Sequence, residues 1–372
     1  MIRFVVPRSQ DFGLLEFLDY WGDLASSPFD VVHYESLAAR SSVPRGTWVL
    51  AALDQLTPHG LHLVRELESQ LRASEARPSV LNSADTTLLR CDLLQRLYAE
   101  GLNRHTAVKA TAGADATASL RFPVFLREEH QHTGALSPLL FSPRDLGFEL
   151  AKAVVRGYRL RDLLIVEFVD TKSDDGFYRK YAAFVIGSAV VPQFMSQDTD
   201  WMLKLGRTEH TAVMIAEEYA WVRDNPHEPQ LRRLFELAGV QYGRIDYAVV
   251  DGVVETWEIN LNPTLARYPS LSPGLQALRR PTTELFHERF HAAFRATDTE
   301  SRAATGATTA PIGGAVAIRF SDEILGTGVT IIRGQYEHRF PDWVSSVLRP
   351  IRPLIELIIR LLSPLLVRIS RR

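Results

Sequence analysis

The sequence predicts a mixed protein, an α/β region followed by an α+β region, and three observations carry that reading. Short apolar strands alternate with helical patterns over roughly the first hundred residues, which favours a mainly parallel sheet. Longer strand runs joined by Gly-containing turns follow from about residue 121 to residue 264, which favours antiparallel pairing. Between the two lies "KATAGADATASL", dominated by small residues and read as a linker or loop.

The first region opens with a strand at "IRFVV" and a helical pattern through "LLEFLDYWGDLA". Strands at "FDVVHYE" and "GTWVLAAL" come next, then a helix at "GLHLVRELESQLRA", a strand at "PSVLN" and a closing helix "LLRCDLLQRLYAEGL", which Gly101 is expected to stop. The second region supplies strands at "RFPVFLRE", "DLLIVEFVD" and "RKYAAFVIGSAVVPQFM", with helices around 143–157, 208–223 and 228–238. A helix at "TTELFHERFHAAFRA" follows, in which His287 and His291 stand four apart. That spacing suits a metal, but the pair is read as lacking the glutamate of an HExxH arrangement and as an ordinary surface or core pair. Expected boundaries are an N-terminal domain over 1–106, a second region over 107–296, a flexible small-residue linker over 297–315 and a C-terminal extension over 316–372.

Composition narrows the function. Of 372 residues, 46% are hydrophobic and 23% charged, as in soluble globular proteins, and the formal net charge of −2 gives no global reason to expect nucleic acid as a partner. The single cysteine, Cys91, excludes an intramolecular disulfide and a multi-cysteine zinc site. Its helical context reads as a small buried hydrophobe. The apolar run at the start is too short for a signal peptide, so a cytoplasmic location is expected.

The most informative stretch is "YGRIDYAVVDGVVETWEINLNPT", Tyr242–Thr264, which reads as a β-hairpin turning at Asp251-Gly252. Loop length decides which side chains share a face. A two-residue loop puts Asp246 and Glu258 on opposite faces, whereas a three-residue loop, Val250-Asp251-Gly252, puts Arg244, Asp246, Thr256, Glu258 and Asn260 on one. The longer loop is preferred because it leaves an apolar face of Ile245, Tyr247, Val249, Val253, Trp257 and Ile259, broken only by Glu255. Two carboxylates and an amide oxygen then converge, a donor set suited to a hard cation such as Mg2+.

The order of segments, and above all "GRIDYAVVDGVVETWEINLNP", resembles the ATP-grasp superfamily, particularly its D-alanine–D-alanine ligase and glutathione synthetase branches, over roughly residues 80–265. The resemblance implies an ATP-grasp fold preceded by a Rossmann-like domain, with ATP and Mg2+ or Mn2+ as cofactors. It implies that Asp246, Glu258 and Asn260 hold the metal against the phosphates, and that Arg244 supports γ-phosphoryl transfer. "FPVFLRE" is similar to the family's "FPVIVKP" strand, with Arg127 in place of the phosphate-binding lysine and Glu128 in place of the proline. "HQHTGALSP" stands where the family has a glycine-rich loop but holds only Gly134, leaving His130, His132 or Thr133 to substitute. "LLIVEFV" resembles the strand to the adenine hinge, which implies adenine contacts from Glu167 and the Phe168 and Val169 backbone, with Asp174 or Asp175 near the ribose. Lys180 and Lys204 are implied as phosphate or substrate contacts. The "SPG" turn of many family ligases is absent from "LNPTLARYP", so the substrate does not transfer.

The expected activity is ligation: a carboxylate activated by ATP to an acyl phosphate and attacked by an amine or similar nucleophile. A small-molecule kinase and a non-catalytic nucleotide-binding scaffold are the alternatives. In the tail, "WVSSVLRPIRPLIELIIRLLSPLLVRISRR", Arg349, Arg352, Glu356, Arg360 and Arg368 recur at helical spacing beside a Leu/Ile/Val stripe. Such a helix suits an anionic membrane surface, at the inner face, or self-association and packing on protein.

Overall fold

The structure is a computed structural model. It describes residues 1–15, 29–37, 42–74, 78–112, 117–132, 134–203, 210–263, 271–303, 309–311, 357–358 and 361–362. The chain divides into two compact units: Met1–Leu89 joined with Thr171–Gly328, and a central unit of Arg90–Asp170, with which the described tail residues are grouped. The division falls at 89/90 and 170/171.

In the first unit, β1 (Ile2–Val6), β2 (Phe29–His33), β4 (Thr47–Leu50) and β5 (Ser79–Leu81) form an all-parallel sheet in the order β2-β1-β4-β5, as the strand and helix alternation predicted. Between β2 and β4 lies the short β3 (Ser42–Pro44), paired antiparallel with a strand at Thr309–Pro311. Helix α1 (Pro58–Ala73) crosses from β4 to β5; Thr57 caps it by accepting from Gly60 N at 3.1 Å. Further along the chain, β9 (Tyr178–Ile186), β10 (Ala189–Asp198), β11 (Tyr242–Val250) and β12 (Val253–Asn260) make an antiparallel sheet ordered β10-β9-β11-β12.

One core joins these layers. Ile2, Phe4, Val49, Phe184, Ile186, Tyr242, Phe290 and Phe294 are almost wholly buried together, and Phe4 meets Phe294 edge-on with ring centroids 5.5 Å apart. A polar clasp fixes the entry to β11. Asn82, buried and left-handed at φ 64°, accepts from the Gln241 and Tyr242 amides, both at 2.9 Å, and donates to Leu50 O and Tyr242 O. The preceding Gly239 has φ 66°, and a Cβ there would lie 2.3 Å from Thr86 O, so only glycine fits.

The central unit pairs β6 (Ala107–Lys109), β7 (Val124–Glu128) and β8 (Leu163–Glu167) antiparallel in the order β6-β8-β7. Leu126, Leu163 and Ile165 pack there with Leu146 and Leu150 of the helix Pro143–Val155. Arg90–Ala99 is helical, and Gly101 ends it at φ 68° as predicted. Cys91 is buried, which raises its thiol pKa and suits a packing role. Lys109 belongs to β6, so the small-residue stretch read as a linker begins inside a strand.

In the first unit the helices Ala212–Asp224 and Glu228–Ala238 lie near their expected limits. The last long helix runs Pro273–Ala303, farther than predicted in both directions, so residues 297–303 of the expected linker are helical. Threonine and serine weaken a helix only modestly and alanine favours it, so the helix continues through them. The predicted helix after β1 lies mostly outside the described residues, as does the tail apart from Leu357, Ile358, Leu361 and Leu362, which are exposed. No helix among the described residues is long and apolar enough to cross a membrane.

Candidate active site

The hairpin turn is tighter than predicted. Val250 pairs with Val253, leaving a two-residue loop in which Asp251 and Gly252 both have positive φ, 53° and 77°. That is the type I′ turn, whose twist suits the flanking strands. Taken alone this register would separate Asp246 from Glu258. A β-bulge restores the pairing: the partner of Asp246 is Glu258, that of Tyr247 is Thr256, and Trp257 is the extra residue. Arg244 accordingly faces Asn260, and Asp246 faces Glu258. Nearer the turn the assignment is the reverse of the prediction: Thr256 faces Tyr247 and leaves the polar face, while the fully buried Glu255 faces Ala248 and joins it.

On the other side of β11, Asp246 pairs with Ala182 and Arg244 with Phe184. Strand β10 carries a second bulge, with Gln193 as the extra residue, which brings Phe194 opposite Ala182. The row Phe194-Ala182-Asp246-Glu258 therefore crosses all four strands, with a bulge in each outer strand. Arg244 Nε donates to Asp246 Oδ1 at 2.9 Å and Nη1 to Gln193 Oε1 at 3.3 Å. Lys180 Nζ lies 3.5 Å from Asp246 Oδ2. Both cations lie over the Phe194 ring, at 5.3 and 5.8 Å from its centroid. Ala182, with its small side chain, leaves room for this gathering.

The donor chemistry fits a hard cation. Asp246, Glu258 and Asn260 are all buried, and Asn260 Oδ1 is a buried acceptor with no hydrogen-bond partner. An unpaired buried carbonyl oxygen costs about 1–3 kcal/mol, and an oxygen-seeking ion would remove that cost. Among the described residues no group of three or more His, Cys, Asp or Glu could hold a metal, so this site would depend on the amide oxygen as its third donor.

The central unit carries the residues expected at the nucleotide, and their partners differ from expectation. The Glu167 carboxylate accepts from the Arg121 amide at 2.7 Å, from Arg121 Nη2 at 2.7 Å and Nε at 3.2 Å, and from the Thr106 amide at 3.3 Å. Its oxygens hold the chain at Thr106 and Arg121. The Phe168 amide donates to Pro123 O at 2.9 Å, which commits that backbone donor too, and Val169 follows it half-buried. Arg127 is buried on β7. Asp174 is exposed, and Asp175 pairs with Arg179 at 2.6 Å; both belong to the first unit. Lys204 and Thr133 lie outside the described residues.

Two residues the sequence reading passed over stand out in the central unit. Arg90 is buried and gathers the segment after β7, donating to the carbonyls of Glu128, Glu129 and Gln131 at 2.5–2.9 Å, with His132 Nδ1 at 3.1 Å from Nη2. The segment expected to cover phosphates is thus held through its carbonyl groups. Lys109 and Arg127 both pair with Leu164, from either side of β8. Two cations therefore sit in one row about 10 Å apart by strand spacing. Lys109 also pairs with Glu129. A lysine ending "AVK" at the edge of a small-residue run gave no such signal.

No protein-family model matches the chain, and no curated protein matches it in sequence. Several solved structures are similar. The D-alanine–D-alanine ligase from Bacillus anthracis complexed with ATP is 11% identical, with 81% of this chain and 99% of that one covered and a TM-score of 0.45. The corresponding ligase from Coxiella burnetii is 13% identical over 81% and 96%, with a TM-score of 0.44, and that from Helicobacter pylori is 11% identical over 79% and 98%, at 0.43. Likeness at this level assigns neither a reaction nor a substrate.

Proposed function

We propose that the protein is an ATP-grasp ligase, which uses ATP and Mg2+ to activate a small-molecule carboxylate as an acyl phosphate for attack by an amine or similar nucleophile. The observation that carries the proposal is the row on β11 and β12: Asp246 against Glu258 and Arg244 against Asn260, with the Asn260 acceptor unpaired and Lys180 beside Asp246.

A divalent ion bound there would neutralise phosphate charge and orient the phosphoryl group in line with its acceptor. The remaining work falls to the chain. Arg244 is held by Asp246 and Gln193 with its side chain 11% exposed, so its planar fork is oriented before substrate arrives. A fixed guanidinium stabilises charge spread over the equatorial oxygens of a transferring phosphoryl group without reorganisation. Lys180, with Asp246 as its partner, adds a second positive charge at the edge of the same row. Burial of the row excludes water from charge that develops on it. Arg127 and Lys109 are the proposed phosphate-binding cations of the central unit, and Val169 and Asp174 the proposed contacts to base and ribose.

The test is ADP formation from ATP and Mg2+ in metabolite mixtures, followed by mass analysis of the product. ADP formed only when a carboxylate and an amine are both present supports the ligase. ADP formed with a hydroxyl acceptor makes it a kinase. Tight ATP binding with no ADP under any condition makes it a scaffold.

A further inference from the structure

His287 and His291 lie one turn apart on the helix Pro273–Ala303, and the residue after the first is Glu288, so the segment reads His287-Glu288-Arg289-Phe290-His291. This is H-E-x-x-H, a spacing that presents two imidazoles on one helix face to a single ion. In the structure the two Nε2 atoms are 2.9 Å apart and the ring centroids 4.2 Å apart. Both rings are half-buried, and Phe29 of β2 covers His291 at 5.1 Å between centroids.

Two metal–nitrogen bonds of about 2.05 Å meeting at a right angle set their nitrogens about 2.9 Å apart, whereas a tetrahedral pair needs about 3.3 Å. The observed separation matches neighbouring positions of a tetragonal or octahedral ion.

We propose that His287 Nε2 and His291 Nε2 form a binding site for one first-row divalent transition ion, with Ni2+ or Cu2+ fitting the present geometry and Zn2+ fitting after the rings part by a few tenths of an ångström. Without the ion, one Nε2–H donates to the other Nε2. On binding, the donating ring carries its proton on Nδ1 instead, and no net proton is released. Among the described residues no third His, Cys, Asp or Glu completes the set. Glu288 is exposed beside it. The site shares no residue with the row around Asp246 and is independent of the proposed ligase activity.

The test is equilibrium dialysis of the full chain, freed of metal, against Ni2+ or Zn2+ alone. Wild type is expected to take up one ion per chain more than His287→Ala/His291→Ala, to lose affinity at least 10-fold in either single variant, and to keep it in Glu288→Gln. Ion-dependent rise of the melting temperature should follow the same order. If the alanine variants do not fold, His287→Gln, at a half-exposed position, takes their place. Equal uptake by wild type and a folded variant, or no uptake by wild type, overturns the proposal.

Discussion

Glu167 of the central unit and the carboxylates of the β11–β12 hairpin are all buried, and each region sets a buried acidic group beside an arginine. In the central unit the acceptor capacity of Glu167 is used up: two donors of the Arg121 guanidinium and two backbone amides converge on one carboxylate. In the hairpin the accounts do not close. Asp246 has Arg244 and Lys180, yet Asn260 Oδ1 beside them is buried without a partner. A saturated carboxylate is a structural strut, whereas an unsaturated acceptor among carboxylates and cations is the pattern of a site awaiting a ligand.

The sharpest way to break this comparison is Glu258→Gln, which keeps shape and removes one charge. Metal-dependent turnover should fall on the order of 100-fold or more, while the melting temperature stays within a few degrees. Steady-state ADP release at saturating Mg2+ checks it. Arg244→Ala should lower kcat by roughly 100-fold and leave nucleotide affinity less changed, since the lost interaction strengthens in the transition state. A large loss of ATP affinity with unchanged kcat would assign Arg244 to ground-state binding.

The contrasting variant in the central unit is Glu167→Ala, which strands Arg121 and two amides. It should cost about 2 kcal/mol of local stability, from the two amides left without their acceptor, read as reduced amide protection in β7 and β8. A loss of adenine affinity with unchanged protection would return Glu167 to the nucleotide.

A smaller effect is expected at Glu128, whose pKa is raised from 4.5 to about 7, first by burial and then by Asp162, with Arg90 opposing. Between those values the unfolded chain has lost this proton and the folded chain keeps it. The group's contribution to stability therefore falls as pH rises from 4.5 to 7. Glu128→Gln should flatten the pH dependence of β7 protection across that window and raise protection at pH 7.5. The smallest effect on turnover is expected on removing residues 343–372, which should leave ADP formation intact and abolish sedimentation with anionic liposomes.

Much of the molecule was legible in the sequence. Strand and helix alternation gave the parallel sheet, and the Asp246, Glu258 and Asn260 face was assigned to the correct side chains. The route to that face was different, however. Asp251 and Gly252 form the two-residue turn their types favour, and the bulge at Trp257 supplies the extra residue assigned to the loop. A bulge answers to packing across the sheet, and periodicity along one strand does not reveal it. The same limit applies to Gln193 in β10. Partners distant in sequence were equally invisible: nothing near Glu167 announced that Arg121 would occupy it, and nothing near Arg90 announced the carbonyls it gathers. The segment His287–His291 held its glutamate in plain view, but only the 2.9 Å separation of its ring nitrogens distinguishes it from a chance spacing.

The central claim is that Asp246, Glu258 and Asn260 together hold a divalent ion with ATP, and it can be tested before any substrate is known. Mn2+ bound in the presence of ATP, counted by the loss of its free-ion electron paramagnetic resonance signal, should exceed that of Glu258→Gln and Asn260→Ala at every metal concentration below saturation, by at least 10-fold in affinity. Equal Mn2+ uptake by wild type and both folded variants would contradict it.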